Sequence, residues 1–252
     1  MPDFRAHAPT AAADAREIRL DAAESHHLVA VNRCGRGDPV VAFDGRGREW
    51  SCICADPHKG GALLTAGETR LAAPRKVEIT LAQALPKGAT MDEIVRQATE
   101  IGAARIVPIV SERTQIHLDG DRADKKVEKW RTTAIEAAKQ CGNPWLPEIA
   151  SVQTLGEFLA AATPPELKLV ASLHAGAASL RAVVARDREK HGGSTFRAVW
   201  LVGPEGDFSP AEMTSAIMAG FAPVTLGPHV LRCDTAAISA LSILYYSLDT
   251  IQ

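Results

Sequence analysis

Two segments put chemistry-bearing residues just where a strand-like run gives way to a turn. After RAVWLV comes Gly203-Pro204-Glu205-Gly206-Asp207-Phe208-Ser209, a Gly-rich turn that feeds a helix start. The first amides of such a helix have no partner within it and are free to receive a ligand, although a tight strand-to-helix connection has the same composition. After APVT comes Leu226-Gly227-Pro228-His229-Val230-Leu231-Arg232-Cys233-Asp234-Thr235-Ala236, which carries Arg232 and Asp234 into a last helical segment. An Asp at such a place is commonly the helix N-cap, so its carboxylate has two readings. Missing motifs narrow the chemistry further. The chain has no G-x-x-x-x-G-K-[ST] loop, no G-x-G-x-x-G after a first strand and no G-x-S-x-G elbow. Nucleoside triphosphate hydrolysis, dinucleotide-linked oxidoreduction and serine hydrolysis are thereby demoted. Cys34, Cys52, Cys54, Cys141 and Cys233 form no C-x-x-C pair, and the eight histidines form no H-E-x-x-H. No metal site is expected, and the thiols are expected reduced and mostly buried.

The elements that must position these turns can be read from periodicity. With 252 residues, at about 150 per domain, the chain is one large domain or two modest ones. Its 46% hydrophobic and 23% charged residues describe an ordinary globular protein able to bury a core. No run approaches the roughly 18 apolar residues of a membrane span, and the start has no basic flank before an apolar block, so a cytoplasmic protein is expected. Net charge is −2, with 28 basic against 30 acidic residues, so bulk charge marks no nucleic-acid partner. Up to about residue 70, short apolar runs (HHLVAV, PVVAF, EWSCICA, ALLTA) are separated by Asp44-Gly45 and Gly60-Gly61, which predicts a small antiparallel barrel or sandwich.

Pro74 marks a change of period. Strand-like KVEITLAQAL, ARIVPIV, LKLVASL, RAVWLVG and APVTLG alternate with a helical stretch in which Ile94, Val95, Ala98 and Ile101 recur at helix spacing and with others near 122–141, 154–161, 209–219 and 234–248, predicting a parallel α/β sheet. Thr90 with Glu93, Thr154 with Glu157, and Ser209 with Glu212 after Pro210 read as capping boxes. Arg122, Lys125, Lys126, Lys129 and Arg131, mixed with Asp121, Asp124 and Glu128, read as a solvated helix face. In open parallel sheets ligands bind beyond the carboxyl ends of the strands, which returns the argument to the two Gly-containing turns.

Together these residues resemble the bacterial small-subunit (16S) ribosomal RNA uridine-N3 methyltransferases of the SPOUT superfamily. The resemblance is carried by His26-His27-Leu28 with Arg33, Phe43-Asp44-Gly45, Gln83-Ala84-Leu85-Pro86-Lys87, Ala98-Thr99-Glu100-Ile101-Gly102, Ser111-Glu112-Arg113 and Gln140-Cys141. Above all it is carried by GPEG-x-FS-x-x-E at 203–212 and LG-x-x-x-LR-x-x-TA at 226–236. It implies a PUA-like RNA-binding β-barrel over 1–73 and a SPOUT α/β domain over 74–252, closed by a deep trefoil knot. It also implies S-adenosylmethionine as methyl donor, held by Leu173, His174, Gly203, Pro204, Glu205, Gly206, Leu226, Gly227, Val230 and Leu231. Arg232, Glu205 and Asp234 are its catalytic candidates, and Arg33, Lys87, Arg113 and Gln140 its RNA contacts. The partners implied are 16S ribosomal RNA in the small subunit and a second copy of the chain, with neither membrane nor DNA. The alternatives are a SPOUT methyltransferase acting on another RNA and a non-catalytic assembly factor. The chain departs from the family pattern at Asp3, Asn32, Asn143, Asp207, His229 and Asp234.

Overall fold

The computed structural model describes residues 4–115, 120–161, 167–173, 176–192 and 197–248. Two compact units emerge from the chain's contacts: one formed by the residues up to Pro74 with Ile135–Leu146, the other by Arg75–Ala134 with the residues from Pro147 onward.

The first unit is built on a five-stranded sheet of β1 (Phe4–His7), β2 (Glu17–Arg19), β3 (Pro39–Phe43), β4 (Arg48–Asp56) and β5 (Leu63–Leu71), in the order β1-β3-β4-β5-β2. Alternation along β4 turns Trp50, Cys52 and Cys54 inward onto Leu28, Val40 and Leu64. The Asp44-Gly45 turn joins β3 to β4. Asp44 Oδ1 accepts from the amides of Arg46 (2.7 Å) and Arg48 (3.0 Å). Gly47, at φ +91°, leaves room for the Trp145 ring, which a Cβ there would meet at 2.3 Å.

Two expectations are corrected in this unit. β1 pairs with β3 in parallel, so the sheet is mixed rather than antiparallel. The long stretch between the two strands, which holds β2 and a helix, provides the crossover that parallel pairing needs. HHLVAV forms no strand: α1 (Ala22–His26) runs on into a single π-helical turn, His27–Val31. Asp21 caps α1 by accepting from the Glu24 amide at 2.8 Å, and burial falls on Glu24, Ser25 and Leu28, at helical rather than alternate spacing.

The second unit holds an eight-stranded sheet: β6 (Glu78–Ala84), β7 (Arg105–Val110), β8 (Glu148–Ile149), β9 (Gln153–Thr154), β10 (Leu167–Ala171), β11 (Ala178–Ser179), β12 (Arg197–Val202) and β13 (Ala222–Thr225). The order is β11-β13-β10-β12-β6-β7-β8, with β9 on β7, and every pair is parallel. Its helices are α2 (Thr90–Ile101), α3 (Gly120–Cys141), whose last turns group with the first unit, α4 (Leu155–Ala161), α5 (Leu180–His191), α6 (Pro210–Met218) and α7 (Cys233–Leu248). Ile79 and Leu81 pack with Ile94, Trp130 and Leu241 in one core. Ala82, Val107 and Leu201 pack with Phe158, Met213 and Phe221 in a second. Strands covered on both faces read as unbroken apolar runs, which is why periodicity found them.

Two boxes form at helix starts. Ser209 and Glu212 cap α6 reciprocally behind Pro210, and Thr154 and Glu157 exchange the same bonds at α4. Thr90 does not cap. The α2 N-cap is Ala89, without a side-chain bond, and Thr90 is already helical. Helix α5, capped by Ser179, was not anticipated. Its LRAVVARDREKH packs through Leu180, Val183 and Val184, too short an apolar stripe to stand out among charges.

Candidate active site

The loops that leave β10, β12 and β13 lie at the same end of the parallel sheet because those three strands are neighbours. Between them is a cavity of about 300 Å³. Leu173, Gly203, Pro204, Glu205, Leu226, Val230, Leu231 and Arg232 line it, so eight of the residues singled out in sequence converge on one space. Gly206 and Gly227 belong to the same loops without lining the cavity, and His174 lies outside the described residues.

The turn at 203–207 is tightly built. The Asp207 amide donates to the Pro204 carbonyl at 2.9 Å, and a Cβ on Gly203 would come within 3.0 Å of Asp207 Oδ1 and 3.2 Å of the Phe208 nitrogen. Asp207 sits at φ +58°, a left-handed conformation that Gly adopts freely and Asp tolerates by bonding its own backbone. Here Asp207 Oδ1 accepts from the Phe208 amide at 2.7 Å. Asp207 therefore keeps the turn and adds a carboxylate to the cavity wall.

Neighbouring loops hold the turn from two sides. The Lys87 amide donates to Glu205 Oε1 at 2.9 Å, and Arg113 Nη1 donates to the Gly206 carbonyl at 2.6 Å. Both residues were expected to touch RNA, and both lie against this turn. Arg33, exposed at φ +63°, and Gln140, exposed on α3, belong to the first unit. Asn143 likewise has a local task there, since its Oδ1 accepts from the Trp145 amide at 2.9 Å.

After β13, Thr225 Oγ1 donates to the Gly227 carbonyl at 2.9 Å and Gly227 takes φ +150°, directing the loop toward Arg232 and α7. The Arg232 side chain is 82% exposed, with Nε 3.8 Å from Asp234 Oδ1. That pair is long and bathed in solvent, so it holds the guanidinium weakly. Asp234 is not the N-cap: the helix begins at Cys233, the Arg232 carbonyl accepts from the Ala236 amide at 2.8 Å, and Asp234 Oδ1 accepts from the Thr235 amide at 2.8 Å. Asp234 does not line the cavity, whereas Glu205 does. Burial, and after it the charge of Glu205, pushes the Cys233 thiol above its ordinary value, so it lines the wall as a neutral group.

Sequence reasoning missed Thr90, Ser172 and Thr225 on the cavity wall, where His229, from the loop already singled out, also lies. Thr225 and Ser172 end the strand-like runs that located the loops, a signal that was available. Thr90 arrives from α2 and had none. The wall mixes apolar side chains (Leu173, Val202, Val224, Val230, Leu231) with hydroxyls, carboxylates and turn amides, which suits a ligand that is part flat and apolar, part zwitterionic.

Known proteins resemble this chain over most of its length. Residues 73–245 match the family model of an RNA methyltransferase domain, and residues 20–66 that of an RNA methyltransferase PUA domain. The chain is 34% identical over 237 residues to the ribosomal RNA small subunit methyltransferase E of Synechocystis sp., covering 92% of this chain and 74% of the relative. It is 28% identical over 243 residues to the protein of the same name from Bacillus subtilis, covering 95% and 93%. Among solved structures, a methyltransferase of Legionella pneumophila in complex with S-adenosylmethionine superposes with a TM-score of 0.87 at 28% identity over 97% of both chains. The ribosomal RNA small subunit methyltransferase E of Neisseria gonorrhoeae, also bound to S-adenosylmethionine, gives 0.85 at 26% identity over 96% of this chain and 97% of the other.

Proposed function

Because the chain belongs to the RNA methyltransferase family and carries that family's PUA domain ahead of the catalytic one, we propose that it methylates N3 of a uridine in small-subunit (16S) ribosomal RNA with S-adenosylmethionine as donor. The observation that carries this reading is the convergence of the 203–207 turn and the loop from Thr225 to Cys233 on one cavity at the carboxyl end of the sheet. Its residues fit the donor. The Gly203 turn, tight around a would-be Cβ, leaves a backbone surface for polar contacts, and Leu173, Val230 and Leu231 offer apolar cover.

S-adenosylmethionine, when bound, supplies a methyl group already activated on a sulfonium, so the protein's task is to align the acceptor and manage its proton. Uracil N3 carries a hydrogen. Methylation forms the N3–C bond as the sulfonium S–C bond breaks, and the N3 proton passes to a base. Arg232, with its guanidinium at the cavity edge and only a long pair to Asp234, stabilises the developing uracil anion or holds an adjacent phosphate. Glu205 takes the proton. One of its oxygens accepts from Lys87, and among the described residues the other has no protein hydrogen bond. Asp234 is the second carboxylate candidate, and the place of Glu205 on the cavity wall, which Asp234 does not line, favours Glu205.

The same reading assigns residues 1–73 to RNA contact, with Arg33 on that module, and 74–252 to transfer. The trefoil knot belongs to it too: β13 enters the sheet between β10 and β11, and the chain then runs into α7, which packs on β6 and β12. So do a homodimer and action in the cytoplasm. Among the described residues no helix is long and apolar enough to cross a membrane.

The test is transfer from methyl-labelled S-adenosylmethionine to small ribosomal subunits lacking the modification, with the labelled nucleoside identified by mass spectrometry. Label in 3-methyluridine is expected. Label in another nucleoside moves the enzyme to another target, and donor binding with no transfer to any RNA makes the chain a non-catalytic assembly factor.

A further inference from the structure

We propose that Arg113 is a positioning residue that sets the donor-binding turn, and that it serves the donor rather than the RNA; this rests on the reading of the cavity as the S-adenosylmethionine site. Exposed arginines in an RNA enzyme invite assignment to phosphate, and the Ser-Glu-Arg segment had that reading in sequence. The geometry differs. Arg113 Nη1 donates to the Gly206 carbonyl at 2.6 Å, and its stem crosses the open side of Gly206, with Cδ and Cβ 3.4 and 3.5 Å from where a Cβ would stand. A guanidinium bonded to a carbonyl at that distance makes a charge-assisted bond, roughly twice as strong as one between neutral groups.

The loop that presents Arg113 is itself pinned. The Thr114 amide donates to the Ser111 carbonyl at 3.0 Å, and the Ser111 amide donates to Thr114 Oγ1 at 3.0 Å. The Glu112 amide donates to Glu212 Oε1 at 2.8 Å, while Glu212 Oε2 accepts from the Ser209 amide in the α6 capping box. Loop and helix start are thereby tied together just downstream of the turn. On the other flank Lys87 holds Glu205 through its amide. Residues 203–207 are thus gripped on both sides, and two side chains reach their carbonyls: Gln83 Nε2 donates to Gly203 at 3.4 Å, and Arg113 makes the shorter, charged bond to Gly206.

Acting through Gly206, Arg113 should affect the donor's affinity and leave the RNA's untouched. Binding of S-adenosylhomocysteine is measured by calorimetry, and binding of a 16S RNA fragment by filter retention, for wild type, Arg113→Ala and Arg113→Lys, each checked by thermal melting. Arg113→Ala is expected to weaken S-adenosylhomocysteine about tenfold, the effect of one hydrogen bond to a charged group, with RNA affinity unchanged. KM for S-adenosylmethionine should rise with kcat at saturating donor preserved, and Arg113→Lys, which keeps a cationic donor, should recover part of the loss. Unchanged S-adenosylhomocysteine affinity in Arg113→Ala, or a loss confined to RNA, overturns the proposal. Wild-type protein that binds no S-adenosylhomocysteine overturns the reading of the cavity instead. If Arg113→Ala does not fold, Arg113→Lys decides alone: equal loss of RNA and donor affinity would refute the assignment.

Discussion

Glu205 and Arg232 face one cavity with opposite charge and unequal restraint. One Glu205 oxygen is tied to the Lys87 amide, whereas Arg232 projects its head into solvent with only a 3.8 Å pair to Asp234. The difference separates two roles in experiment. In Glu205→Gln the amide oxygen still accepts from Lys87, so the turn and donor binding should survive while transfer falls by about 100-fold, the scale of a lost general base. Calorimetry beside the labelled-methyl assay checks this, and full turnover in Glu205→Gln would return the proton to Asp234. Arg232→Ala should leave the melting temperature and donor binding as they are and lower transfer by a similar factor. Wild-type turnover would remove Arg232 from the chemistry. Asp207 shows how a departure from a family pattern can be conservative: at φ +58° it takes a backbone shape that Gly adopts freely.

α1 and the last turns of α3 meet in the first unit through an ion pair almost sealed from water. Lys139 Nζ lies 2.9 Å from both oxygens of Glu24 and 2.7 Å from Glu136 Oε1, with side-chain exposures of 6% for Lys139 and 10% for Glu24. An ammonium has no acceptor to offer, so His27 Nδ1, 3.3 Å from Nζ, accepts, which leaves Nε2 to donate to Glu136 at 3.1 Å. Removing one partner strands a buried charge. Lys139→Ala should therefore cost about 3 kcal/mol in a denaturant melt, and the pair Lys139→Met with Glu24→Leu should recover most of it. A single variant within about 0.5 kcal/mol of wild type would show that no buried charge is stranded. At this level composition misled where it was symmetrical: HHLVAV suits a strand or a helix, and only the Asp21 cap with burial at Ser25 and Leu28 separates them.

α7 has one charged residue, Asp234, in sixteen, and alongside its buried side it exposes Ile243 and Tyr246, the latter 78% open. Leu173, Val230 and Leu231 are also exposed on the cavity loops. The proposed homodimer would cover such an uncharged helix face. Sedimentation equilibrium should find a dimer, and Ile243→Lys with Tyr246→Glu should yield a folded monomer with little transfer. A wild-type monomer at full activity would refute the dimer. Much of this molecule could be read locally. Buried parallel strands are apolar runs, and turns beyond them need Gly, so RAVWLV with Gly203 and APVT with Gly227 marked two of the loops that meet at the cavity from a few consecutive residues each. Other features depend on residues far apart in the chain. The sheet order that makes β10, β12 and β13 neighbours carries Ser172, Thr225 and His229 to one cavity, α2 brings Thr90 to it, and Gly206 draws in Arg113. Those meetings follow from register and packing across the whole sheet, where long-range contacts compete, and no local pattern of residue types encodes which strand will lie beside which.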